Sequence, residues 1–239
     1  RGRTDARETG PILPVSDDVV AKTIKYLPPT LADMVKLQRL LGCRPGELVN
    51  LKPGMIDRSE SVWKIILSEH KTAHHGKSRI LYAGPPSQAI LMKYLLRASD
   101  APCFSPREVC EAQLRDREAR RKTPPSYGNR RGTNRVRKPK RQPGEQYTRH
   151  SYARAIERAC DMAFPAPQEV KDDPIQWKAW KSRHRWTPNQ LRHARATEIR
   201  KQYGIESASS VLGHSQLSTT EIYAEQDAER AIAVAKATG

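Results

Sequence analysis

No run of apolar residues in this 239-residue chain is longer than five, a length reached at 231–235. A membrane-spanning helix needs about 20 such residues, so we expect none. Apolar residues make up 37% of the chain and recur at helical spacing, for example in 31–41. Stripes of this kind predict amphipathic helices that each bury one face. We therefore expect a hydrophobic core that is assembled from several short elements.

Capping and stop signals divide the chain into helices joined by short connections. Ser16, Thr30 and Thr187 precede three helices as N-cap residues, while Gly42 and Gly204 end two of them. The predicted helices cover about 17–27, 31–41, 86–97, 148–163, 188–203 and 206–212, and the turn at 43–48 leads into a further short helix.

Two β-rich segments, 61–67 and 78–83, flank the polar stretch 68–77. This order predicts a β-hairpin with a long tip, and residues 52–57 predict a short third strand. The tryptophan-rich stretch 177–186 is expected to pack in the core. The pattern as a whole predicts an α+β, mainly helical fold in which a small antiparallel β-sheet packs on a helical bundle.

The chain carries 43 Lys and Arg against 26 Asp and Glu, a net charge of +17. This excess favours a polyanionic partner, and nucleic acid fits best because each neutralised phosphate releases condensed counterions. An anionic membrane fits less well, because no helix combines a basic face with a bulky aromatic one. Four cysteines without a C-x-x-C pair argue against a disulfide scaffold and a cysteine zinc site. They indicate reduced thiols, and we expect a cytoplasmic, nucleoid-associated protein.

One block, 115–141, holds 12 Lys and Arg but only two acids, with Pro, Gly and Asn scattered through it. Such a block is normally mobile when free and becomes ordered on a polyanion. We expect it to follow the phosphate backbone of DNA. The residues expected to make these contacts are Arg130, Arg131, Arg135, Arg137, Lys138, Lys140 and Arg141.

Seven polar residues are candidates for chemistry. They are Arg44 on a Pro-Gly turn, Lys71 at the hairpin tip, Asn189, Arg192 and His193 on one helix face, His214 after Leu-Gly, and Tyr223 nine residues later. Ser218 and Glu221 form a capping box, so Tyr223 falls in the second turn of the helix that they start. Taken alone, each candidate is more often a surface or structural group than a catalytic one.

The order of these residues and their local sequence form one pattern. The chain reads GCRPGEL at 42–48, HKT at 70–72, TPNQLRHARAT at 187–197 and LGHSQLSTTEIYAE at 212–225. This strongly resembles the catalytic domain of the tyrosine recombinase, or phage integrase, family, over about residues 12–235. The resemblance implies the fold of the DNA breaking-rejoining enzyme core. It also implies a site-specific recombinase that cuts and rejoins DNA through a covalent 3′-phosphotyrosyl intermediate.

The resemblance further implies a role for each matching residue. Arg44 and Arg192 correspond to the two arginines that clamp the phosphate, Lys71 to the hairpin lysine, His214 to the Leu-Gly-His histidine, and Tyr223 to the nucleophile. Glu47 corresponds to the acid that braces Arg44, and Asn189 and His193 are expected to support the site. The chain departs from the pattern at Asn189, where the family usually has His or Lys. Asn carries no proton at pH 7, so the identity of the general base stays open.

The chemistry of phosphodiester transfer agrees with these roles. The transition state gains negative charge, which arginines stabilise through bidentate hydrogen bonds. A tyrosine has a reference pKa of about 10 and needs a base or a strong positive field to act as a nucleophile. Lys71 is expected to protonate the leaving 5′-oxygen. The phosphotyrosine keeps the bond energy and the arginines replace the charge of a metal, so we expect neither a cofactor nor a metal site.

Two other functions stay open. A catalytically impaired DNA-binding module of the same fold is favoured only by Asn189. A type IB topoisomerase-like enzyme shares the chemistry but relaxes supercoils without pairing two sites. A covalent adduct that depends on Tyr223 separates an enzyme from the binding module.

The resemblance also organises the chain into a linker at 1–11 and a catalytic domain at 12–239 with a basic insertion at about 100–147. The N-terminal core-binding domain of the family has no match in this sequence. Because the family assembles as four protomers, we expect a homotetramer on paired sites in double-stranded DNA and a monomer when free. The helix-forming tail at 228–237 is expected to dock on a neighbouring subunit.

Overall fold

The computed structural model describes residues 13–67, 79–127 and 143–213. Within these ranges ten α-helices surround one small antiparallel sheet. The helices are α1 (Asp17–Ile24), α2 (Pro29–Leu41), α3 (Pro45–Val49), α4 (Pro85–Leu91), α5 (Pro106–Ala119), α6 (Arg149–Ala163), α7 (Gln168–Asp172), α8 (Pro174–His184), α9 (Pro188–Tyr203) and α10 (Ile205–Leu212). The strands are β1 (Ile56–Asp57), β2 (Trp63–Leu67) and β3 (Arg79–Ala83). This is the mainly helical α+β fold that the sequence predicts.

The centre of the core is α2, whose apolar stripe is buried as its helical spacing predicts. Its fully or almost fully buried members are Leu31, Met34, Val35, Leu37 and Leu41. The helix begins at Pro29 with Pro28 as its N-cap, so the prediction that Thr30 caps it is wrong. Proline suits the first helical position because it lacks the N–H that would have no partner there.

The end of α2 brings the first motif towards α9 and α10. Gly42 has φ +63°, a left-handed conformation that glycine adopts without a Cβ penalty. A Cβ at this position would lie 3.1 Å from both Arg195 Cγ and Leu212 Cδ2. The glycine therefore both ends α2 and lets its end approach the C-terminal helices closely.

The sheet has the order β1-β2-β3 with antiparallel pairing throughout, which confirms the predicted hairpin. Ile65 on the central strand pairs with Ile56 on one side and Leu81 on the other. The predicted third strand is only two residues long, because the 3₁₀ turn Pro53–Met55 occupies the residues before it. The tip of the hairpin, with Lys71, lies outside the described residues.

Three helices, α5, α7 and α8, are absent from the sequence prediction. Helix α5 covers the first five residues of the basic block, for which the sequence predicts no helix. The prediction that the tryptophans pack in the core is correct for Trp186, which is buried and donates through Nε1 to Thr23 Oγ1 at 3.1 Å. It is wrong for Trp177 and Trp180, which are only half-buried on α8. No helix in the described ranges is long and apolar enough to cross a membrane.

Candidate active site

A cleft of about 900 Å³ opens between α3, the first turn of α6 and the first turn of α9. Seven polar residues line it: Arg44, Glu47, Asn50, Arg149, His150, Thr187 and Asn189. Three segments that are far apart in sequence therefore contribute cations and hydrogen-bonding groups to one concave surface. Such a surface suits an anionic ligand.

Arg44 stands just before α3, and Glu47 in the first turn of that helix fixes it. Arg44 Nη1 donates to Glu47 Oε1 at 2.9 Å, and the Arg44 backbone N–H donates to Glu47 Oε2 at 2.8 Å. The Glu47 carboxylate is buried, whereas the Arg44 side chain remains 31% exposed. The contact thus holds Arg44 from its buried side and leaves the guanidinium accessible from the cleft.

A second cation shares the Glu47 carboxylate. Arg79 at the start of β3 is only 6% exposed, and its Nε lies 3.5 Å from Glu47 Oε1. Burial by itself raises the Glu47 pKa, but the charges of Arg79 and Arg44 and the Arg44 N–H bond outweigh it, so this pKa lies below its usual range. Because one carboxylate serves two guanidinium groups, Glu47 orients Arg44 without cancelling the positive charge of the cluster.

Arg192, in the first half of α9, connects two motif segments. Its Nη1 donates to the Gly42 carbonyl at 2.7 Å and its Nη2 to the Leu212 carbonyl at 2.9 Å. These carbonyls lie two residues before Arg44 and two residues before His214, respectively. Both bonds go to neutral oxygens, so they orient the guanidinium without neutralising it.

The charged groups of this cluster shift the pKa of the buried Cys43 thiol. Its pKa is raised to about 12, because burial and then the charge of Glu47 raise it by more than Arg192 and Arg79 lower it. Glu47, Arg192 and Arg79 therefore all lie close enough to the buried Cys43 sulfur to shift its pKa. A buried thiol held in its neutral form is not a nucleophile.

Asn189 and His193 form a pair on the first turns of α9. Asn189 Nδ2 lies 3.2 Å from His193 Nε2, and we assign the amide as donor and the imidazole as acceptor. Burial and then the charge of Arg192 lower the His193 pKa, which agrees with a neutral ring. In this assignment the Asn189 oxygen is the atom left to accept a hydrogen bond in the cleft.

Gly213 closes α10 and leads towards His214. It has φ +64°, and a Cβ added to it would lie 1.8 Å from Arg79 Nη1. The Arg79 guanidinium therefore occupies the space next to this turn. The glycine of the Leu-Gly-His motif is explained here by a left-handed turn packed directly on a buried arginine.

Of the predicted site residues, the structure brings together Arg44, Glu47, Asn189, Arg192 and His193. Lys71, His214, Tyr223 and the basic residues between 130 and 141 lie outside the described residues, as does the tail at 228–237.

Sequence reasoning missed Arg79, Arg149 and His150. Arg79 had a signal, because it alternates with the buried Leu81 and Ala83 on β3 and an inward-facing arginine calls for a buried partner. Arg149 and His150 had none, since only the packing of α6 beside α3 brings them to the cleft.

Comparisons with known proteins agree with this geometry. The model of the Phage integrase family matches residues 18–230. A comparison with curated protein sequences gives no match.

Solved structures show the same fold. XerH site-specific recombinase bound to difH substrate matches with a TM-score of 0.55 and 13% identity, over 97% of this chain and 56% of that chain. The Tn1549 transposon integrase in complex with transposon right end DNA matches with a TM-score of 0.60 and 13% identity, over 98% and 69%. A lambda integrase tetramer bound to a Holliday junction matches with a TM-score of 0.53 and 16% identity, over 94% and 52%. The chain therefore spans little more than half the length of XerH and of lambda integrase.

At 13–16% identity these structures show only that the fold is shared. The family model matches most of the chain, including the segments that contain Arg44 and Arg192. On that basis the chain belongs to the phage integrase family, the tyrosine recombinases.

Proposed function

We propose that this chain is the catalytic domain of a site-specific recombinase that cuts and rejoins DNA through a covalent 3′-phosphotyrosyl intermediate. The observation that carries the proposal is the pair of hydrogen bonds made by Arg192. They join the turn that precedes Arg44 to the turn that precedes His214, so one buried side chain ties together three of the four motifs.

The charges of the cluster suit the chemistry. Arg44 and Arg79 share one carboxylate, that of Glu47, so among the described residues these two cations exceed their common acid by one charge. Fixed positive charge aimed at a transferring phosphoryl group is typically the largest catalytic contribution in such reactions. Arg44 and Arg192 are the proposed clamps on the scissile phosphate, and Arg79 is a positioning residue behind them.

In the proposed cleavage step, the phenol oxygen of Tyr223 forms a bond to the scissile phosphorus and the bond from phosphorus to the 5′-oxygen breaks. Lys71 gives a proton to the leaving 5′-oxygen, and the phenol loses its proton to a base in the site. Religation is the reverse reaction, in which a 5′-hydroxyl attacks the phosphotyrosine and releases Tyr223. The phosphodiester bond energy is conserved, so the cycle needs no ATP.

Asn189 takes a supporting part in this scheme. It stands where the family usually has a proton carrier, and its amide cannot act as a base. Its oxygen can accept a hydrogen bond from the phenol or from the incoming 5′-hydroxyl, with His193 holding the amide in place. The proton itself then passes to another group, and His214 is the proposed acceptor.

The proposed partner is double-stranded DNA, with four protomers on two paired sites and a monomer in the absence of DNA. XerH and the Tn1549 integrase are described as bound to DNA, and lambda integrase as a tetramer on a Holliday junction. The basic block at 115–141 is proposed to add sequence-independent backbone contacts.

A nicked suicide duplex tests the proposal, because loss of the short fragment beyond the nick traps the covalent intermediate. Duplexes from the DNA that flanks the native gene supply candidate sites. We expect an SDS-resistant protein–DNA adduct with the wild-type chain and none with Tyr223→Phe, while both bind the duplex. Binding without any adduct would instead support the impaired DNA-binding module, and relaxation of a plasmid without site pairing would support the topoisomerase.

A further inference from the structure

The hairpin of α7 and α8 is a helical arm whose residues do not join the hydrophobic core. None of the residues of the two helices is buried. An isolated helix of 11 residues is marginal in water, yet the sequence secures α8 locally. Asp173 Oδ1 accepts hydrogen bonds from the N–H groups of Ile175 and Gln176 at 2.8 and 3.2 Å, and Pro174 starts the helix. The chain thus maintains a helix that core packing does not require.

The two helices of the arm differ in charge: α7 holds two acids and one lysine, whereas α8 carries only positive charge. Residues 174–185 contain four Lys and Arg and no Asp or Glu. Lys181 Nζ lies 5.0 Å and Arg185 Cζ 5.7 Å from the centroid of the Trp177 ring, distances at which a ring attracts a cation. Trp180 stacks on His184 with 3.9 Å between centroids. The tryptophan rings therefore hold cationic groups in place on the surface of the arm.

The four cations divide into anchors and accessible charges. Arg185 is an anchor, because it makes two bonds of 2.7 Å to the Asp161 carboxylate on α6, and Lys181 lies over Trp177. Lys178 and Arg183 are exposed. Neither forms an ion pair with any residue in 13–67, 79–127 or 143–213, so their charges face solvent.

Of the two accessible charges, Arg183 lies nearer to the cleft along the chain. Arg183 is four residues before Thr187, which lines the cleft, and four residues span at most about 14 Å. That distance corresponds to the rise of about four base pairs of duplex. A duplex with one phosphate in the cleft has further phosphates within this range.

We propose that α8 is a second DNA contact, in which Lys178 and Arg183 bind backbone phosphates of the duplex that flanks the cleavage point. The choice of DNA as the partner rests on the proposed function. The exposed cations Lys178 and Arg183 are complementary to phosphate oxygens, and contacts to backbone phosphates carry no sequence information. The contact is therefore independent of sequence.

The test measures how affinity depends on salt. A fluorescent random-sequence duplex is titrated with wild-type chain and with Lys178→Gln/Arg183→Gln at several salt concentrations. Two lost phosphate contacts make the slope of log K against log salt less negative by about 1.8, since each contributes about 0.9. Both residues are exposed, so the variant keeps the urea midpoint of the wild type.

The charge-matched control is Lys36→Gln/Lys201→Gln, two exposed lysines on α2 and α9. Lys201 lies 12 helical residues beyond Asn189, about 18 Å along α9. We expect this control to keep the wild-type slope. An unchanged slope in the α8 variant, or an equal change in the control, overturns the proposal. The positive charge of α8 would then be better explained by binding of an acidic protein. The random-sequence duplex has no cognate site, so this salt-dependence result does not depend on cleavage. If the nicked suicide duplex gives no covalent adduct, that result counts against the proposed recombinase function and not against the α8 contact.

Discussion

Replacing Gly213 by Ala is the substitution whose cost the structure specifies most fully. Gly213 has φ +64°, a conformation that costs an L-residue about 1–2 kcal/mol. The new Cβ would also lie 1.8 Å from Arg79 Nη1 and 2.8 Å from Arg79 Cζ. The Arg79 guanidinium must therefore move away from its place beside Glu47.

The size of the second contribution follows from that contact. Breaking a buried ion pair costs about 3–5 kcal/mol, but a flexible arginine keeps part of its contact as it moves. We take about 2–3 kcal/mol for the displacement, which with the backbone strain gives a total of about 3–5 kcal/mol.

Gly42→Ala is the matched control, because Gly42 has nearly the same φ of +63°. The nearest atoms to its Cβ would be Arg195 Cγ and Leu212 Cδ2, each at 3.1 Å, which requires small adjustments. Urea unfolding followed by circular dichroism measures both free energies. We expect Gly213→Ala to be less stable than Gly42→Ala by about 2–3 kcal/mol. Equal losses within about 1 kcal/mol would refute the packing of Arg79 against this turn.

Two further predictions concern the same cluster. Arg79→Met leaves Glu47 with one cation instead of two, and adding Glu47→Gln removes the buried negative charge. In urea unfolding, the double variant should be more stable than the sum of the two single effects predicts, by about 1–3 kcal/mol. Additive effects would contradict a carboxylate shared by Arg79 and Arg44. The His193 pKa is lowered by burial and by Arg192, so the unfolded chain binds a proton first and stability falls as pH drops below about 6.5. The lowered pKa of Glu47 adds a second loss below about 4.5, because its stabilisation exists only while the carboxylate is charged. In unfolding curves measured from pH 7 to 3, His193→Gln should lack the first loss and keep the second; a first loss that persists would show that another group titrates there.

The elements that the sequence predicts well are those with local signals. Helix α9 runs from Pro188 to Tyr203, as the Thr187-Pro188 start and Gly204 stop predict. Helices α6 and α10 agree with their predicted spans to within one residue. The contact between Arg44 and Glu47 is the one that the resemblance to the recombinase family implies.

The elements that were missed depend on tertiary contacts or lack an apolar stripe. Helix α5 buries only Val109 and is tied down by ion pairs such as Arg97–Glu108 at 2.6 Å. Helix α8 relies on its Asp173 cap and on Arg185, whose acidic partners lie on α6. Arg79 reaches Glu47 only because β3 lies beside α3, and no spacing along the chain indicates that. The Arg192 carbonyl bonds likewise require α2, α9 and α10 to be packed together.

The central claim is that Tyr223 becomes covalently joined to DNA in a site that Arg44 and Arg192 activate. The most direct measurement is the adduct from a nicked suicide duplex, digested with nuclease and trypsin and analysed by tandem mass spectrometry. The tryptic peptide 202–230 contains two tyrosines, Tyr203 and Tyr223, and Tyr203 is 70% exposed at the end of α9. We expect a nucleotide attached through its 3′-phosphate to Tyr223. A nucleotide on Tyr203 or on any other residue, or a trapped complex without a covalent link, would contradict it.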